Sequence, residues 1–369
     1  MGAHIPSAPI WFRWWFLLPV VLFVCACGRD EQTTSRITIP PLEPEGALMA
    51  PVSDVNTLSF PTRQTGLAGT NLAAVFQPTA SGNPESGTYG SVRLGNYGKS
   101  ILPRFHEGLD IAALERDRHG RPLDDVHAAM RGRVAMVNRT AGNSDYGIYV
   151  VLLHEDPVGT FYTLYAHLAE ADARLREGNP IEAGARIGRM GNSALEPIPM
   201  SRAHLHFEVG LLANDRFLSW PGLPKKHTPG GKYNGQNLWG LNPILLYRDF
   251  DANGGQLSLL DHIHRVPVAF EILVISPRVP DYFVRYPSLW QGGSQFSGVM
   301  VLAVSEGGVV LSGRPASPEE ASTMGRARAA VLRVDEFELG RNARRIVVKR
   351  NGRWEMGIAS ENWLGLFLH

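Results

Sequence analysis

The sequence predicts a mainly β protein, with an antiparallel β-sheet domain followed by a smaller β-rich (α+β) domain. Short runs rich in β-branched and aromatic residues recur in the middle of the chain, turn signals separate them, and no long helical period competes. The runs are Gly132–Val137, Tyr149–His154, Phe161–Leu168 and His204–Leu211. We therefore expect an antiparallel β-domain over residues 79–248 and a second domain over residues 249–369.

The chain begins with a segment typical of exported proteins. Trp14–Ala26 is an apolar run of 13 residues, which is short for a membrane span of about 20 residues but suits a secretory signal. The run ends Val24-Cys25-Ala26-Cys27, which resembles a bacterial lipobox with cleavage before Cys27 and a lipid on its sulfur. We predict a signal peptide with lipobox over residues 1–27. Cleavage at Cys25, an uncleaved anchor and plain secretion are the alternatives. Every alternative places the body of the protein in the cell envelope or beyond, outside the cytoplasm.

Residues 28–78 are rich in Pro, Ser, Thr and Gly and show little periodicity. Pro40, Pro44, Pro51 and Pro61 would each interrupt a helix. We therefore expect an extended linker that gives reach between the lipid and the first domain.

Composition excludes several classes of function. The chain has 36 Lys and Arg against 35 Asp and Glu, so its formal net charge is +1 and no basic excess indicates nucleic-acid binding. Its only cysteines are Cys25 and Cys27, which excludes a disulfide-stapled fold and a zinc module built from four cysteines. Any metal site must therefore use His, Asp or Glu.

Two patterns carry residues suited to binding a metal. His106 and Asp110 are four residues apart and can both reach one cation. His204 and His206 alternate within a predicted strand, so their side chains are expected on one face of the sheet. Two imidazoles on one face of a buried strand are costly unless something uses their nitrogens.

A third pattern is Tyr165-Ala166-His167-Leu168. The same alternation predicts that Tyr165 and His167 share a face. Taken alone, each of the three patterns is better explained by a polar turn or by hydrogen-bonded histidines. In this order within one β-domain, the three together favour a metal site.

These patterns resemble the signature of the lysostaphin-type (LytM, peptidase M23) zinc metallopeptidases. That signature is His-x-x-x-Asp, then Tyr-x-His-Leu, then His-x-His. Further blocks are similar as well, namely Phe105–Ala113, Tyr146–Val151, the glycine-punctuated segment from Glu177 to Gly188, and Asn242-Pro243. The resemblance covers residues 80–247, a little under half of the chain.

The resemblance implies a LytM-type antiparallel β-domain in which His106, Asp110 and His206 hold Zn²⁺. His204 would then be the general base, and His167 would orient the water or stabilise the oxyanion. The two catalytic histidines could exchange these roles, because sequence does not separate them.

The resemblance also implies a function, a zinc-dependent metalloendopeptidase that hydrolyses amide bonds of peptidoglycan peptides. The expected partners are that peptide substrate and the membrane, through an N-terminal lipid or anchor, with no nucleic acid and an open oligomeric state. One alternative is a non-catalytic LytM-like module that binds cell wall or activates a partner hydrolase. Another is a zinc hydrolase that acts on some other peptide. The presence of every expected ligand position favours the enzyme.

Two segments depart from the family's pattern. Gly191–Ala203, just before the His-x-His pair, is longer than the family's turn and carries Pro197 and Pro199. Residues 213–240 are rich in Pro and Gly and are predicted to be a long inserted loop. We expect both segments to border the substrate groove and to affect substrate preference more than metal binding.

The second domain resembles no family, and a wall-targeting or partner-docking role is inferred from its position alone. Its predicted strands are Val266–Ile275, Ser297–Val304, Val309–Leu311, Val331–Val334 and Arg345–Lys349. The helix-start signal Ser317-Pro318-Glu319-Glu320 predicts a helix over Glu319–Ala330.

Three other patterns in this domain have simpler explanations than a site. His262-Ile263-His264 lacks an upstream partner, so we expect a polar strand or turn rather than a second metal site. Asp249–Gly254 begins like a calcium loop, but Leu260 stands where the loop needs a glutamate, so an Asn-Gly turn is expected. Arg341–Arg353 holds six basic residues among thirteen, which is typical of a solvated strand and turn.

Overall fold

The computed structural model describes residues 52–64, 74–97, 100–196, 198–223 and 230–369. The predicted signal peptide and lipobox, and the linker as far as residue 51, lie outside these ranges. Within them, none of the helices combines the length and the apolar character that a membrane span requires.

The described chain alternates short strands with a few short helices. Up to residue 241 the strands are β1 (Val92–Tyr97), β2 (Ser100–Phe105), β3 (Leu109–Ala112), β4 (Asp125–His127), β5 (Gly132–Asn138), β6 (Ile148–His154), β7 (Phe161–Ala171), β8 (Pro180–Ile181), β9 (Arg186–Met190), β10 (His204–Leu212) and β11 (Leu238–Leu241). Helices α1 (Pro243–Ala252) and α2 (Leu259–Arg265) follow. The remaining elements are β12 (Phe270–Ser276), α3 (Asp281–Arg285), β13 (Gly298–Val304), β14 (Val310–Pro315), α4 (Pro318–Ser322), β15 (Ala329–Val334), β16 (Val347–Arg350), β17 (Arg353–Met356) and α5 (Ala359–Leu368).

The largest sheet is antiparallel, and strand β10 lies inside it. The strand order is β11-β10-β7-β6-β5-β8, with β3 paired to β10 and β9 linking β4 to β7. This arrangement confirms the prediction of a mainly antiparallel β fold. All nine residues of β10 are buried. Because alternate side chains of a strand face opposite sides, Leu205 and Phe207 enter the core while His204 and His206 face the other way.

Close packing beneath β7 and β10 holds these two strands in register. The rings of Tyr165 and Phe207 lie 5.4 Å apart between centroids, and Leu109, Val150 and Leu205 are fully buried around them. Each fully buried side chain of this size contributes about 1.5–3 kcal/mol to folding. The core therefore fixes the strands that present polar residues on the opposite face.

The part of the chain after β11 forms a second antiparallel sheet of order β14-β13-β12-β15 and a hairpin of β16 and β17. The predicted strands are found there with shifted bounds. The predicted helix over Glu319–Ala330 is wrong beyond its first turns, because α4 ends at Ser322 and β15 begins at Ala329. Gly325 between them adopts a φ of +56°, a left-handed conformation that ends a helix.

Part of the predicted linker is packed against the sheet instead of being extended. Residues Asp54–Thr57 form a 3-10 turn, and Asp54 pairs with Arg131 at 2.5 Å. Val55 and Phe76 are fully buried in the main core. The predicted inserted loop at 213–240 also differs from expectation, since it holds 3-10 turns at Phe217–Ser219 and Gly231–Tyr233 and most of β11.

The main core runs through both predicted domains. It includes Phe207 from the first and Phe270, Val304 and Phe367 from the second. The boundary that we predict between residues 248 and 249 falls inside helix α1. Division of the chain into independent domains at 79–248 and 249–369 stays a prediction.

Candidate metal centre

The two N-terminal residues of the site lie on either side of a tight turn between β2 and β3. His106 directly follows β2, and Asp110 is the second residue of β3. Gly108 lies between them, and a Cβ there would overlap the carbonyl oxygen of Phe207. Only glycine allows this turn to lie directly against β10.

Pairing of β3 with β10 then brings the two halves of the site together. The antiparallel register sets Asp110 opposite His206, and side chains of directly opposed residues face the same side of a sheet. His204 and Glu208 occupy the same face of β10 as His206, two residues away in each direction. Sequence alternation therefore predicted the shared face of His204 and His206 correctly.

Three ligand atoms converge on one point. Those of His106, Asp110 and His206 all lie within 4.8 Å of one another. His106 Nε2 is 3.0 Å from Asp110 Oδ1 and 3.2 Å from His206 Nδ1. His206 Nδ1 is 3.0 Å from the same Asp110 oxygen. The three residues are buried, with side-chain exposures between 4% and 9%.

Hydrogen bonds on the far side of each ring fix which nitrogen faces this point. His106 Nδ1 donates to the Thr88 carbonyl at 2.8 Å, and a carbonyl oxygen only accepts. His206 Nε2 donates to Glu208 Oε1 at 2.8 Å. His106 Nε2 and His206 Nδ1 are therefore the nitrogens that can bind a metal.

His204 and His167 border the cluster and are oriented in the same way. His204 Nδ1 donates to the Arg202 carbonyl at 2.7 Å, and His167 Nδ1 donates to the Ser193 carbonyl at 2.8 Å. His204 Nε2 is buried, has no hydrogen-bond partner among the described residues, and lies 3.3 Å from Asp110 Oδ1. The centroids of the His204 and His167 rings are 4.9 Å apart. With Nδ1 donating to a carbonyl, Nε2 is the nitrogen that can accept a proton in each neutral ring.

The His167 side chain lies on the opposite face of the sheet from the one that strand alternation predicts. Tyr165 packs in the core against Phe207, and Ala166 is the residue paired with His206. His167 should then follow Tyr165 into the core, but its φ is +60°. This left-handed conformation costs about 1 kcal/mol or more for a residue with a side chain. It turns the ring towards His204, so the prediction that Tyr165 and His167 share a face is wrong.

The donor set fits a small tetrahedral cation such as zinc. Ligand atoms about 2.0–2.1 Å from one tetrahedral ion lie about 3.3 Å from each other. The observed separations of 3.0 to 3.2 Å among the three ligand atoms are close to this spacing. Lone pairs of two imidazoles and a carboxylate repel each other at such distances unless a positive charge lies between them.

The electrostatics of the cluster agree with that requirement. Burial lowers the pKa of His106 to about 4, so this ring is neutral at pH 7. Burial acts against ionisation of Asp110, but its interactions with His204, His106 and Arg93 outweigh burial and hold its pKa well below the usual range. Burial also lowers the pKa of His206, but hydrogen bonds to Asp110 and Glu208 outweigh it and raise that pKa to about 9. The cluster favours one bound positive charge, and a metal ion displaces such a proton.

Two supporting residues were missed by sequence reasoning. Glu208 accepts hydrogen bonds from His206 and from the hydroxyls of Tyr146 and Tyr162, at 2.8 and 2.9 Å. Arg93, from the β1–β2 hairpin, donates to Asp110 Oδ2 at 2.6 Å. Glu208 could have been found, because it continues the alternation of His204 and His206. Arg93 carries no such signal, because the hairpin that brings it close is a tertiary feature.

The long segment before the His-x-His pair is a loop whose ends meet beside the site. Gly191 pairs with His204, whose amide donates to the Gly191 carbonyl at 3.0 Å. Arg116 holds the other end by donating to the carbonyls of Met200 and Ala203, both at 2.9 Å. The segment is thus anchored next to His204, where we expected it to border the groove.

Within the described ranges, the second His-x-His pair does not belong to a comparable cluster of metal-binding residues. His262 and His264 lie on helix α2, so the expectation of a polar strand or turn there is wrong. His262 is buried and its Nδ1 is 2.7 Å from Asp249 Oδ2, whereas His264 is exposed. Asp249 and Asp251 belong to helix α1, and the Gly254 amide donates to the Asp251 carbonyl. This is the expected Asn-Gly turn, placed at the end of a helix.

Comparison with known proteins supports the resemblance. Residues 104–216 match the model of Peptidase family M23, which confirms the resemblance drawn from the motifs for this part of the chain. The matched range contains all five residues of the candidate site, His106, Asp110, His167, His204 and His206. No curated protein matches the chain.

Several solved structures are similar to parts of this chain. A structure of Csd3 from Helicobacter pylori shares 24% identity with a TM-score of 0.26, over 42% of this chain and 31% of that chain. The chain thus spans under a third of Csd3. The catalytic domain of the antimicrobial peptidase lysostaphin from Staphylococcus simulans shares 24% identity with a TM-score of 0.25, over 33% and 76% of the two chains. The catalytic domain of the prophage-encoded M23 protein EnpA from Enterococcus faecalis shares 18% identity with a TM-score of 0.23, over 32% and 81%.

Proposed function

We propose, from the match of residues 104–216 to Peptidase family M23, that the protein is a zinc-dependent metalloendopeptidase that hydrolyses amide bonds of peptidoglycan peptides. The observation that carries the proposal is the convergence of His106, Asp110 and His206 within that matched region. The substrate class follows from the family, whereas the chemistry follows from the donor set.

In this proposal His106 Nε2, Asp110 Oδ1 and His206 Nδ1 hold the zinc ion. A zinc ion with three protein ligands supplies a Lewis acid and lowers the pKa of a water to about 7. The chain supplies orientation. Glu208 and the Thr88 carbonyl hold the two rings, and Arg93 occupies the outer oxygen of Asp110, so the inner oxygen is left for the metal.

His204 is assigned the general-base role. Its Nδ1 proton is committed to the Arg202 carbonyl, while its Nε2 is buried, 3.3 Å from Asp110 Oδ1, and without a hydrogen-bond partner in the part of the chain that the structure describes. That nitrogen can take a proton from the attacking water and later return it to the leaving amine. His167 lies across a 4.9 Å ring separation from His204. Burial and the neighbouring His204 and His206 hold its pKa well below the ordinary value, so its neutral Nε2 can accept a hydrogen bond from the water and orient it.

We propose that the protein works in the cell envelope, held to a membrane by a lipid on Cys27. Removal of residues 1–26 takes away only Arg13, which leaves equal numbers of basic and acidic residues. Bulk electrostatics then gives no attraction to the wall. Affinity for peptidoglycan must come from the groove around the site and from the lipid that keeps enzyme and substrate close.

Purified protein tests the proposal through metal content and hydrolysis of isolated sacculi. We expect about one zinc ion per chain, release of soluble wall fragments, and loss of both in His106→Ala. Intact casein serves as the comparison for activity on unrelated peptide. Folded wild-type protein that stays free of zinc when the metal is supplied would overturn the proposal. Zinc-loaded protein that binds sacculi without cleaving them would favour the non-catalytic module.

A further inference from the structure

Arg344, from the C-terminal part of the chain, contacts the turn that carries His106. Arg344, in the segment before β16, donates to Glu107 Oε1 and to the Gly307 carbonyl, the latter at 2.9 Å. Its guanidinium also lies 5.1 Å from the centre of the Phe105 ring. Phe105 and Glu107 are the two chain neighbours of His106.

A second contact from the C-terminal region reaches Tyr89, the chain neighbour of the Thr88 residue that orients His106. Gly307 packs so closely on the Tyr89 hydroxyl that a Cβ there would overlap it. That hydroxyl donates to the Gly240 carbonyl at 2.8 Å, and the Tyr89 ring meets Phe105 edge-on at 5.1 Å. Tyr89 follows Thr88, whose carbonyl accepts the Nδ1 proton of His106.

The ion pair is shielded enough to hold a fixed geometry. The side chains of Arg344 and Glu107 are 29% and 17% exposed. Glu107 is confined on its other side, because its carbonyl and Cβ pack on Gly240 of β11. Arg344 is itself held in place, because it donates to Gly307 in the turn between β13 and β14. Trp363 of α5 fixes that turn by donating to the Gly308 carbonyl at 2.9 Å.

We propose that Arg344 is a positioning residue for the metal centre: supplied by the C-terminal region, it holds Glu107 and thereby sets the orientation of His106. This inference rests on the proposed function. It gives residues 249–369 a part in metal binding, in addition to any wall-targeting or docking role. Residues that orient metal ligands commonly change metal affinity by 10- to 100-fold when removed, although they touch neither metal nor substrate.

Full-length variants test the proposal. Arg344→Gln removes the positive charge. Arg344→Lys keeps the charge but lacks the several fixed N–H donors of a guanidinium. Arg345→Gln is the matched control. Arg345 is the next residue, and its side chain is exposed. Zinc affinity, measured by competition with a chelator, is expected to fall about 10-fold or more in Arg344→Gln. It should fall less in Arg344→Lys and stay unchanged in Arg345→Gln. Excess zinc should restore kcat of Arg344→Gln, because the site is weakened and not dismantled.

A purely structural role gives a different pattern. It would lower the melting temperature of the metal-free protein while leaving the zinc affinity of the folded fraction and the response of kcat to zinc unchanged. That result, or an equal loss in Arg345→Gln, would overturn the proposal. If Arg344→Gln does not fold, Glu107→Gln provides the test from the other partner and should show the same fall in zinc affinity. Wild-type zinc content and sacculus cleavage test the proposed function separately, because the proposal about Arg344 concerns only the ratio of variant to wild type.

Discussion

His204-Leu205-His206 and His262-Ile263-His264 carry the same His-x-His pattern, but the first lies in strand β10 and the second in helix α2. In the strand, residues two apart share a face, so both imidazoles reach Asp110. In the helix, residues two apart lie about 200° around the axis. His262 therefore turns inward to Asp249, while His264 is left in solvent. In β10 the strand period and a facing carboxylate coincide, and this brings both imidazoles to the candidate metal centre.

Removing one histidine from each pair should give the largest contrast. His206→Ala takes away a proposed zinc ligand, so we expect zinc content near zero and loss of hydrolysis to background. His262→Ala should keep zinc and activity and lose stability by roughly 1–3 kcal/mol, because Asp249 loses its buried partner. Metal analysis, sacculus digestion and urea unfolding measure these effects. Retained zinc in His206→Ala would show that the ligand set is wrong.

Within the first pair, the two histidines should separate into different roles. His204→Ala should lower kcat about 10²- to 10⁴-fold, since a general base is worth that much, while zinc affinity stays close to wild type. His264→Ala is the matched control in the helix and should change neither quantity. Steady-state hydrolysis with zinc content measured on the same samples checks this. Loss of zinc in His204→Ala would make it a ligand instead of a base.

Glu208 and Asp249, the carboxylates that hold one histidine of each pair, should differ in their effect on zinc affinity, and this effect is smaller. Glu208→Gln weakens the acceptor for His206 Nε2, and we expect zinc affinity to drop about 10- to 100-fold. Asp249→Asn weakens the corresponding acceptor for His262 and should leave zinc affinity unchanged. Chelator competition gives both values. Equal zinc affinities for wild type and Glu208→Gln would show that Glu208 has no role in metal binding.

The smallest expected effect is on the pH dependence of stability, and it comes from His262 in helix α2. Burial holds the pKa of His262 below its ordinary value, although Asp249 acts in the other direction. The folded protein therefore binds this proton less readily than the unfolded chain, so His262 lowers stability as the pH falls below about 6.5. His262→Asn should lose stability less steeply between pH 7 and 5 than wild type does. Parallel urea-unfolding curves across that range would contradict a buried neutral His262.

Sequence reasoning succeeded where a local rule decides the structure. The strand period placed His204 and His206 on one face. His167 escaped the same rule because its φ is positive, and a single left-handed residue reverses the face of the side chain. The helix predicted from Glu319 stopped early for a related reason, since Gly325 is also left-handed.

The missed residues depend on contacts between distant parts of the chain. Arg93 reaches Asp110 from a hairpin, and Arg344 reaches Glu107 across 237 positions in sequence. No spacing or periodicity links such partners, because tertiary packing alone brings them together. The packing of Val55 and Phe76 against the core escaped prediction for the same reason, since they lie in a segment whose composition is typical of a linker.

Anomalous diffraction at the zinc absorption edge, on crystals of the full chain supplied with zinc, tests the metal assignment most directly. We expect one strong peak, bound by His106 Nε2, Asp110 Oδ1 and His206 Nδ1, with His204 Nε2 beside it and outside the ligand set. A peak at His262 and Asp249 instead, or well-ordered protein without zinc between the three ligands, would contradict the assignment.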